Sequence, residues 1–374
     1  MKKVKLGEVA TYINGYAFKP TNWTDVGLPI IRIQDLTGTS YQTNRFNGVV
    51  AEKYLISNGD VLISWSASLG VYVWKGEKAV LNQHIFKVVF DKVKVNKKFF
   101  IYQVESVLKK ATGDVHGATM KHLTKPVFDA LPFALPGLEE QKKIADRLDK
   151  VSSLIEKRKE QLAKLDQLIK SRFIEMFGDV DFPVITLDNI CEFIRNGANI
   201  KQDKTAKGYP ITRIETLSND KFNLDRLGYA NIFDISKYEK YILQVDDILI
   251  SHINSTAYLG RAIRYKGESK TPIIHGMNLL CARIKHGFNA TYVEHYFKCP
   301  YAKNFIRSIT KQAVNQASIS TSELKQMLVR IPPIELQNEF AEFVKLIDKS
   351  KLAIQKSIDK LETLKKSLMQ QYFG

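Results

Sequence analysis

Two segments of the chain carry apolar residues at the alternating three- and four-residue spacing of one helix face. The first covers residues 138–178, the second covers residues 334–374, and proline precedes each of them. The apolar positions are Ile144, Leu148, Val151, Ile155, Leu162, Leu165, Ile169 and Met176, then Phe340, Val344, Ile347, Ile354, Ile358, Leu361, Leu368 and Tyr372. Arg158, Arg172, Lys351 and Lys365 interrupt these stripes. The spacing predicts two long helices of roughly 60 Å that pair antiparallel along a coiled-coil-like seam. The alternative is that each helix packs separately on its own domain.

The remaining segments, 1–137 and 179–333, consist of short apolar runs separated by turn residues. Runs rich in β-branched and aromatic residues at 61–64, 71–74 and 85–90 indicate strands. The stretches 98–104 and 290–297 are each able to open a helix. The predicted fold class is therefore α+β, with two mixed α/β domains separated by the two long antiparallel helices.

The chain contains an internal repeat, which a pseudo-twofold fold would explain. Residues 28–36 match residues 209–217 at an offset of 181, and residues 54–64 match residues 241–251 at an offset of 187. The helical segments match without a gap at an offset of 196. Insertions therefore fall in the domains while the helices keep one length. This constancy suggests that the helices act as a ruler, that is, a spacer of fixed length between the two domains. Shared ancestry of the two halves is the alternative explanation.

The chain is strongly basic, with 56 Lys and Arg against 39 Asp and Glu and a net charge of +17. The two domains carry +8 and +6 of this charge, whereas the two helical segments carry only +2 and +1. Such a surplus favours a polyanionic partner, either nucleic acid or an anionic membrane surface. A basic protein without such a partner is the alternative.

The cysteines and the apolar runs indicate the cellular compartment. Cys191, Cys281 and Cys299 form no Cys-x-x-Cys pair. We therefore expect neither a disulfide framework nor a zinc site, and we expect the protein to reside in a reducing cytoplasm. No apolar run approaches the length of a membrane span. We therefore expect a cytoplasmic protein without a metal site or a membrane partner.

Motifs for catalysis and cofactor binding are missing from the sequence. It contains no Gly-x-Gly-x-x-Gly or Walker-type phosphate loop, and its only Pro-Pro pair precedes the second long helix. Asp247, Glu268 and Lys270 have a nuclease-like spacing. Asp60 matches Asp247 in the first repeat, but that repeat reads Glu77-Lys78 and lacks the Glu-x-Lys triplet. We expect a non-catalytic chain that binds no cofactor, and a metal-dependent nuclease remains the alternative.

Candidate DNA-binding residues lie mostly in polar loops that follow predicted strands. Asn, Gln, Ser and His donate and accept at base edges, while Lys and Arg suit phosphates or guanine. In the first domain the candidates are Lys19, Arg32, Ser64, Trp65, Ser66, Asn82, Gln83, His84, Lys121 and His122. In the second they are Arg213, Ser251, His252, Asn254, Ser255, Arg261, Asn278, Lys311, Asn315, Gln316 and Ser318. An ordinary polar loop is the alternative for each stretch taken alone. For Arg32 and Arg213 it is a structural role, because both lie inside repeated segments predicted as strands.

The order of these elements resembles a known family. Each domain is followed by a helix that opens with Pro-(Pro/Gly)-x-x-x-Gln, at Pro136–Gln141 and Pro332–Gln337, and ends with Phe-Gly. Over the whole chain this arrangement is similar to the specificity subunit of type I restriction-modification systems. Residues 117–123 are also similar to the end of that family's recognition domain, whereas the second repeat departs from this motif at residues 316–321.

The resemblance implies target recognition domains at 1–137 and 179–333, a central spacer helix at 138–178 and a C-terminal spacer helix at 334–374. It implies two docked modification subunits, which carry S-adenosylmethionine and methylate adenine at N6. It also implies restriction subunits that cut unmodified DNA with ATP and magnesium. Each domain is then expected to read half of a split, asymmetric site in double-stranded DNA. The alternative is a standalone DNA-binding regulator or structural protein.

Overall fold

A computed structural model of the chain describes residues 3–113, 123–178, 180–202, 207–218, 220–312 and 316–374. The chain divides into two compact units. Unit 1 comprises Met1–Glu160 and Gln355–Gly374, and unit 2 comprises Gln161–Ile354. Each unit therefore contains parts of both long helical segments.

The described part of the first 137 residues forms short strands, three α-helices and short 3-10 turns. The strands are β1 (Lys3–Lys5), β2 (Thr11–Asn14), β3 (Leu28–Ile31), β4 (Arg45–Phe46), β5 (Leu55–Ile56), β6 (Val61–Ser64), β7 (Gly70–Val73), β8 (Ala79–Leu81), β9 (Ile85–Val89) and β10 (Pro132–Ala134). The helices are α1 (Ile33–Thr37), α2 (Lys97–Gly113) and α3 (Lys125–Asp129).

The long helix α4 (Leu138–Phe177) follows, and a second series of short elements comes after it. The strands are β11 (Val184–Thr186), β12 (Cys191–Asn196), β13 (Pro210–Ile211), β14 (Leu217–Ser218), β15 (Lys221–Phe222), β16 (Gly228–Tyr229), β17 (Ile248–Ile250), β18 (Ile253–Asn254), β19 (Ala262–Arg264), β20 (Leu280–Ile284), β21 (Lys311–Gln312), β22 (Ala317–Ser318) and β23 (Leu328–Arg330). The helices are α5 (Leu187–Ile190), α6 (Ala290–Tyr296), α7 (Pro300–Ser308) and α8 (Thr321–Lys325), before the second long helix α9 (Ile334–Phe373).

The main sheet has the same strand order in both units, β2-β9-β6-β7 in unit 1 and β12-β20-β17-β19 in unit 2. All of its strand pairs are antiparallel. The predicted α+β class and internal repeat are therefore confirmed. The first and last strands of each globular segment also pair, β1 with β10 and β11 with β23.

The strand β6 is apolar on both faces because it lies between two cores. Val61 and Ile63 pack with the core that includes α2 and α4, and Leu62 packs on the other side under a second small sheet, β4-β3-β8-β5. In unit 2, β17 alternates in the same way, with Ile248 and Ile250 in one core and Leu249 in another. Successive side chains of a strand point to opposite faces, so a continuous apolar run indicates burial on both.

The long helices contact each other antiparallel within each unit, as predicted. In unit 1, Arg147 donates to the Tyr372 hydroxyl at 2.8 Å, and Lys159 lies 3.5 Å from Glu362. In unit 2, Asp166 accepts from Lys351 at 2.5 Å, and Arg172 lies 2.9 Å from Glu339. The predicted seam residues are all buried or half-buried.

The Phe-Gly pair that ends each long helix is anchored by its aromatic ring. Phe373 belongs to the core of unit 1, with its ring 5.5 Å from that of Phe99. Phe177 belongs to the core of unit 2, with its ring 4.9 Å from that of Tyr292. Each unit thus buries the start of one long helix and the end of the other.

A buried glutamine joins the start of each long helix to its domain. The Gln141 amide donates to the Pro136 carbonyl and accepts from the Asn96 N–H, both at 2.8 Å. The Gln337 amide donates to the Pro332 carbonyl at 2.8 Å and accepts from the Asn289 N–H at 3.0 Å. Both glutamines are about 1% exposed. We call this pair of contacts the glutamine clasp.

The two asparagines of the clasp also cap helices. Asn96 precedes α2 and accepts from the N–H groups of Lys98 and Phe99. Asn289 precedes α6 and accepts from the N–H groups of Thr291 and Tyr292. One amide side chain therefore ties the entry of the long helix to the first turn of the domain helix, where N–H groups lack partners within the helix.

Two histidines in unit 2, the buried His275 and the half-buried His295, have pKa values below the usual range. The His275 ring nitrogen Nε2 lies 2.9 Å from the Leu279 carbonyl, to which its N–H donates. Burial, with smaller contributions from Arg195 and His252, lowers the pKa of His275 to about 4. Burial also holds the pKa of His295 well below its usual range.

Replacing Gln141 with Met should destabilise unit 1 by about 2–4 kcal/mol, because the Pro136 carbonyl and the Asn96 N–H lose their buried partner. Unfolding in guanidinium, followed by circular dichroism, measures this loss. Gln167→Met, on the exposed face of the same helix, is the matched control and should change stability by less than about 0.5 kcal/mol. Equal effects of the two substitutions would show that the clasp contributes no stability.

Acidification from pH 6.5 to about 4 should destabilise unit 2, because the unfolded chain takes up protons that His275 and His295 do not bind when folded. Each histidine contributes a slope of up to about 1.4 kcal/mol per pH unit. His275→Gln should reduce the slope of the unfolding free energy by about one proton. His286→Gln, at an exposed position, should leave the slope unchanged. An unchanged slope in His275→Gln would argue against a neutral buried ring.

Candidate nucleic-acid interface

Two of the predicted loops of unit 1 lie side by side at the ends of β6 and β8. The Trp65 N–H donates to the His84 carbonyl at 3.2 Å, and their rings are 4.9 Å apart. The Gln83 N–H donates to the Tyr16 carbonyl at 2.9 Å. His84 has a φ of 73°, a conformation that non-glycine residues rarely adopt. The structure therefore brings Trp65, Asn82, Gln83 and His84 into one surface region.

A close backbone approach shapes this region. A Cβ at Gly15 would lie 2.0 Å from the Asn82 carbonyl oxygen, so only glycine fits there. In unit 2, a Cβ at Gly197 would lie 2.1 Å from the His275 carbonyl oxygen. The same approach therefore holds the corresponding loop, which continues through Gly276 to Asn278.

The asparagine before each of these glycines contacts a residue just beyond the end of β6 or β17. Asn14 accepts from the Trp65 ring N–H at 3.1 Å, and the Trp65 ring stacks on Phe86. Asn196 contacts the His252 ring nitrogen Nε2 at 3.2 Å and donates to the Met277 carbonyl at 3.2 Å. The candidate list from sequence omitted both asparagines. The repeated Asn-Gly dipeptide, at offset 182, is the signal that would have found them.

Several predicted contact residues are buried and support the loops. Ser64 is fully buried and donates to the Ser68 carbonyl, and Ser66 is 5% exposed. In unit 2, Ser251 is 2% and His252 is 5% exposed, and burial lowers the pKa of His252. A neutral His252 accepts from Asn196 through Nε2, which leaves its proton on Nδ1.

The predicted arginines have protein partners. The prediction that Arg32 and Arg213 lie inside strands is wrong: Arg32 directly follows β3 and Arg213 is the second residue after β13. Each of them precedes a short helix. The pattern misled because the strands end one or two residues earlier, where the backbone turns. The Arg32 N–H donates to Asp35 at 2.8 Å and its guanidinium to the Gln42 carbonyl at 3.2 Å. Arg213 lies 3.4 Å from Glu215.

Arg261 is held in unit 2 in a similar way. It lies 3.1 Å from the Asp220 carboxylate and donates to the Leu217 carbonyl at 3.1 Å. Lys19 is exposed in unit 1. Lys121, His122 and Asn315 lie outside the residues that the structure describes.

A small sheet brings together candidates that are about 60 residues apart in unit 2. Strands β18, β22 and β21 pair in that order, which places Ile253 opposite Ser318, Asn254 opposite Ala317, and Lys311 opposite Ser318. Ser255 and Gln316 are exposed beside it, and Lys311 lies 3.3 Å from Glu323. Asn278 is half-buried next to the exposed Met277. We call β18, β21 and β22 the polar sheet.

The carboxylates of the nuclease alternative have structural contacts. Asp247 accepts two hydrogen bonds from Arg283, both at 2.8 Å, and one from the Gln244 N–H at 2.8 Å. Asp60 accepts from the Ser57 N–H at 2.9 Å and lies 3.2 Å from Lys87. The repeated aspartate therefore closes a turn and pairs with a cation of the next strand in both units.

Two features that the described residues lack bear on other functions. Within those ranges, no group of three or more histidine, cysteine or acidic side chains is arranged to hold a metal ion. None of the helices in the same residues combines the length and apolarity needed to cross a bilayer.

Similarity to known proteins occurs in both halves of the chain. The family model for the type I restriction modification DNA specificity domain matches residues 1–167 and again residues 179–365. A putative type I restriction enzyme MjaX specificity subunit from Methanocaldococcus jannaschii is 39% identical over 194 residues, which are 52% of this chain and 45% of that protein. The EcoBI specificity subunit from Escherichia coli is 23% identical over 96% of this chain and 81% of its own length.

Solved structures share the fold. A chain from a study of assembly and conformational transition of the type I R-M system has a TM-score of 0.58 and 16% identity, over 100% of this chain and 97% of that one. The S subunit from M. genitalium has a TM-score of 0.53 and 16% identity, over 100% and 96% of the two chains. The two family matches and the repeated fold agree: the chain belongs to the type I restriction-modification specificity subunit family.

Proposed function

We propose that this chain reads a split, asymmetric site in double-stranded DNA, with one domain for each half-site. The observation that carries the proposal is a shared framework with different side chains at matched positions. The loop 82–84 in unit 1 corresponds to the loop 276–278 in unit 2, because the same parallel bridge joins each loop to the residue after the Asn-Gly pair. The two loops carry different side chains, Asn-Gln-His and Gly-Met-Asn. Two domains with the same framework and different polar groups suit two different half-site sequences.

The residues proposed to touch DNA are the exposed and half-buried candidates at the strand ends. Those in unit 1 are Lys19, Asn82, Gln83 and His84, and those in unit 2 are Asn254, Ser255, Asn278, Lys311, Gln316 and Ser318. Four candidates are buried, so their side chains cannot reach a DNA partner. We propose instead that they hold the loops: Ser64, Ser66, Ser251 and His252. Trp65 is assigned to the same role, since its ring N–H already donates to Asn14.

We further propose that the long helices bind modification and restriction subunits, and that catalysis belongs to those subunits. The helical segments carry little net charge, which suits a protein partner better than DNA. They also expose large apolar side chains, which in other proteins often mark protein interaction surfaces. Those more than 40% exposed include Leu154, Leu168, Leu346, Leu352 and Leu364.

The purified chain should neither methylate nor cleave DNA, whereas addition of an adenine-N6 modification subunit should produce methylation at one split motif. Sequencing of methylated bases in the host, with and without this gene, identifies the motif. Asn254→Ala with Ser318→Ala should relax one half-site by roughly 10- to 100-fold and leave the other unchanged. Methyl transfer by the chain alone, or loss of both half-sites together, would contradict the proposal.

Adding seven residues to α4 should lengthen the unread gap between the half-sites. Seven residues preserve the apolar seam, add roughly 10 Å of helix and correspond to about three base pairs. Three base pairs rotate a half-site by roughly 100°, so the new gap is expected to settle at two or three additional pairs. Sequencing of the methylated motif in the insertion variant measures this gap. Altered half-sites with an unchanged gap would refute the hypothesis that helix length sets the gap.

A further inference from the structure

A basic cleft in unit 2 lies beside the polar sheet. Its volume is about 880 Å³, and the cleft is bordered by the loop before β19, by α7 and by one residue of α4. The charged residues that line it are Lys170, Asp220, Arg261, Lys298, Lys303 and Arg307. Five cations thus face one carboxylate, and that carboxylate is already paired with Arg261.

Three of these cations have no carboxylate within ion-pair distance among the described residues. They are Lys170, Lys303 and Arg307, and all three are exposed. Lys303 and Arg307 are four residues apart on α7, so they lie on one helix face and repel each other. Their repulsion costs stability in the free protein and is relieved when an anion binds between them.

The uncharged lining groups suit a phosphate. Thr256 and Gln312 contribute a hydroxyl and an amide donor to the cleft, whereas the Thr310 hydroxyl already donates to the Ile306 carbonyl at 2.7 Å. Lysine, arginine, threonine and glutamine are among the side chains that contact phosphate oxygens in protein–DNA complexes. Gln312 also belongs to β21, and Thr256 follows β18 by two residues, so the cleft is continuous with the polar sheet.

Among the described residues of unit 1, the corresponding position lacks these features. There the continuous helix α2 borders a cleft of about 340 Å³, lined by Glu105 and Lys109 together with mainly apolar residues. In unit 2 the same stretch is divided into α6 and α7, with Pro300 at the start of α7. Proline cannot continue a helix from the preceding turn, and the divided helix accompanies the larger cleft.

We propose that this cleft binds the phosphodiester backbone of duplex DNA next to the half-site that unit 2 reads. The inference rests on the proposed function and adds residues of α7, none of which the sequence singled out. The cleft contributes affinity without sequence preference, while the polar sheet contributes the base contacts.

The test is the salt dependence of DNA binding by the full-length chain. Its probes are two fluorescent duplexes: one contains the sequence motif identified by sequencing of methylated bases, and the other lacks that motif. Each phosphate contact contributes a slope of about 0.9 in log affinity against log salt. Lys303→Gln with Arg307→Gln should lower the slope by about two on both duplexes. Lys170→Gln, a separate variant on α4, should lower it by about one.

The matched control is Lys356→Gln with Lys360→Gln, which removes the same charge at the same spacing from exposed positions of α9. It should leave the slope unchanged. Recognition of the motif with no change of slope in either cleft variant would overturn the cleft proposal and leave the proposed function standing. Loss of modification-subunit binding with an unchanged slope would assign the cleft to an acidic protein partner instead. A wild-type chain that distinguishes neither duplex would count against the proposed function itself.

Discussion

The glutamine clasp sets the direction in which each long helix leaves its domain. A buried amide that lacks its partners is costly, so Gln141 and Gln337 hold the helix entry at two points, one on the chain before the helix and one on the domain helix. The entry angle matters because each helix is long. A tilt of about 10° at the start of a 40-residue helix displaces its far end by roughly 10 Å. A device that relies on helix length can therefore work only if the entry angle is fixed.

The same framework recurs in the polar loops. The Asn-Gly pairs at 14–15 and 196–197 let two backbones approach closely, and each asparagine then contacts a residue just beyond the end of a central strand. Asp60 and Asp247 close the turn before that strand. What differs between the units is the set of side chains on the loops that this framework supports, such as 82–84 and 276–278. A duplicated scaffold can therefore carry two specificities without altering its core.

Sequence patterns predicted the helices and the repeat because those signals are periodic and extend over many residues. The heptad-like stripes survive interruption by Arg158 or Lys351, and an offset of 196 shared across a whole helix is hard to obtain by chance. The end of β6 was also predicted correctly, since an apolar run ends there. Which side chains remain accessible was not predictable. Ser64 and Ser251 are buried although both end an apolar run, and Arg261 is paired with Asp220, 41 residues away.

The basic cleft shows why such surfaces escape prediction from sequence. Its cations come from α4, from the loop before β19 and from α7, which are far apart along the chain, so they form no basic run. Core positions of the repeat are constrained because each lost methylene leaves a cavity that costs stability. Exposed positions on α7 carry no such constraint, since surface substitutions usually change stability by less than about 0.5 kcal/mol. A proline that divides one domain helix, followed by charge changes on its exposed face, is therefore an accessible route by which two copies of one fold acquire different affinities for the same polyanion.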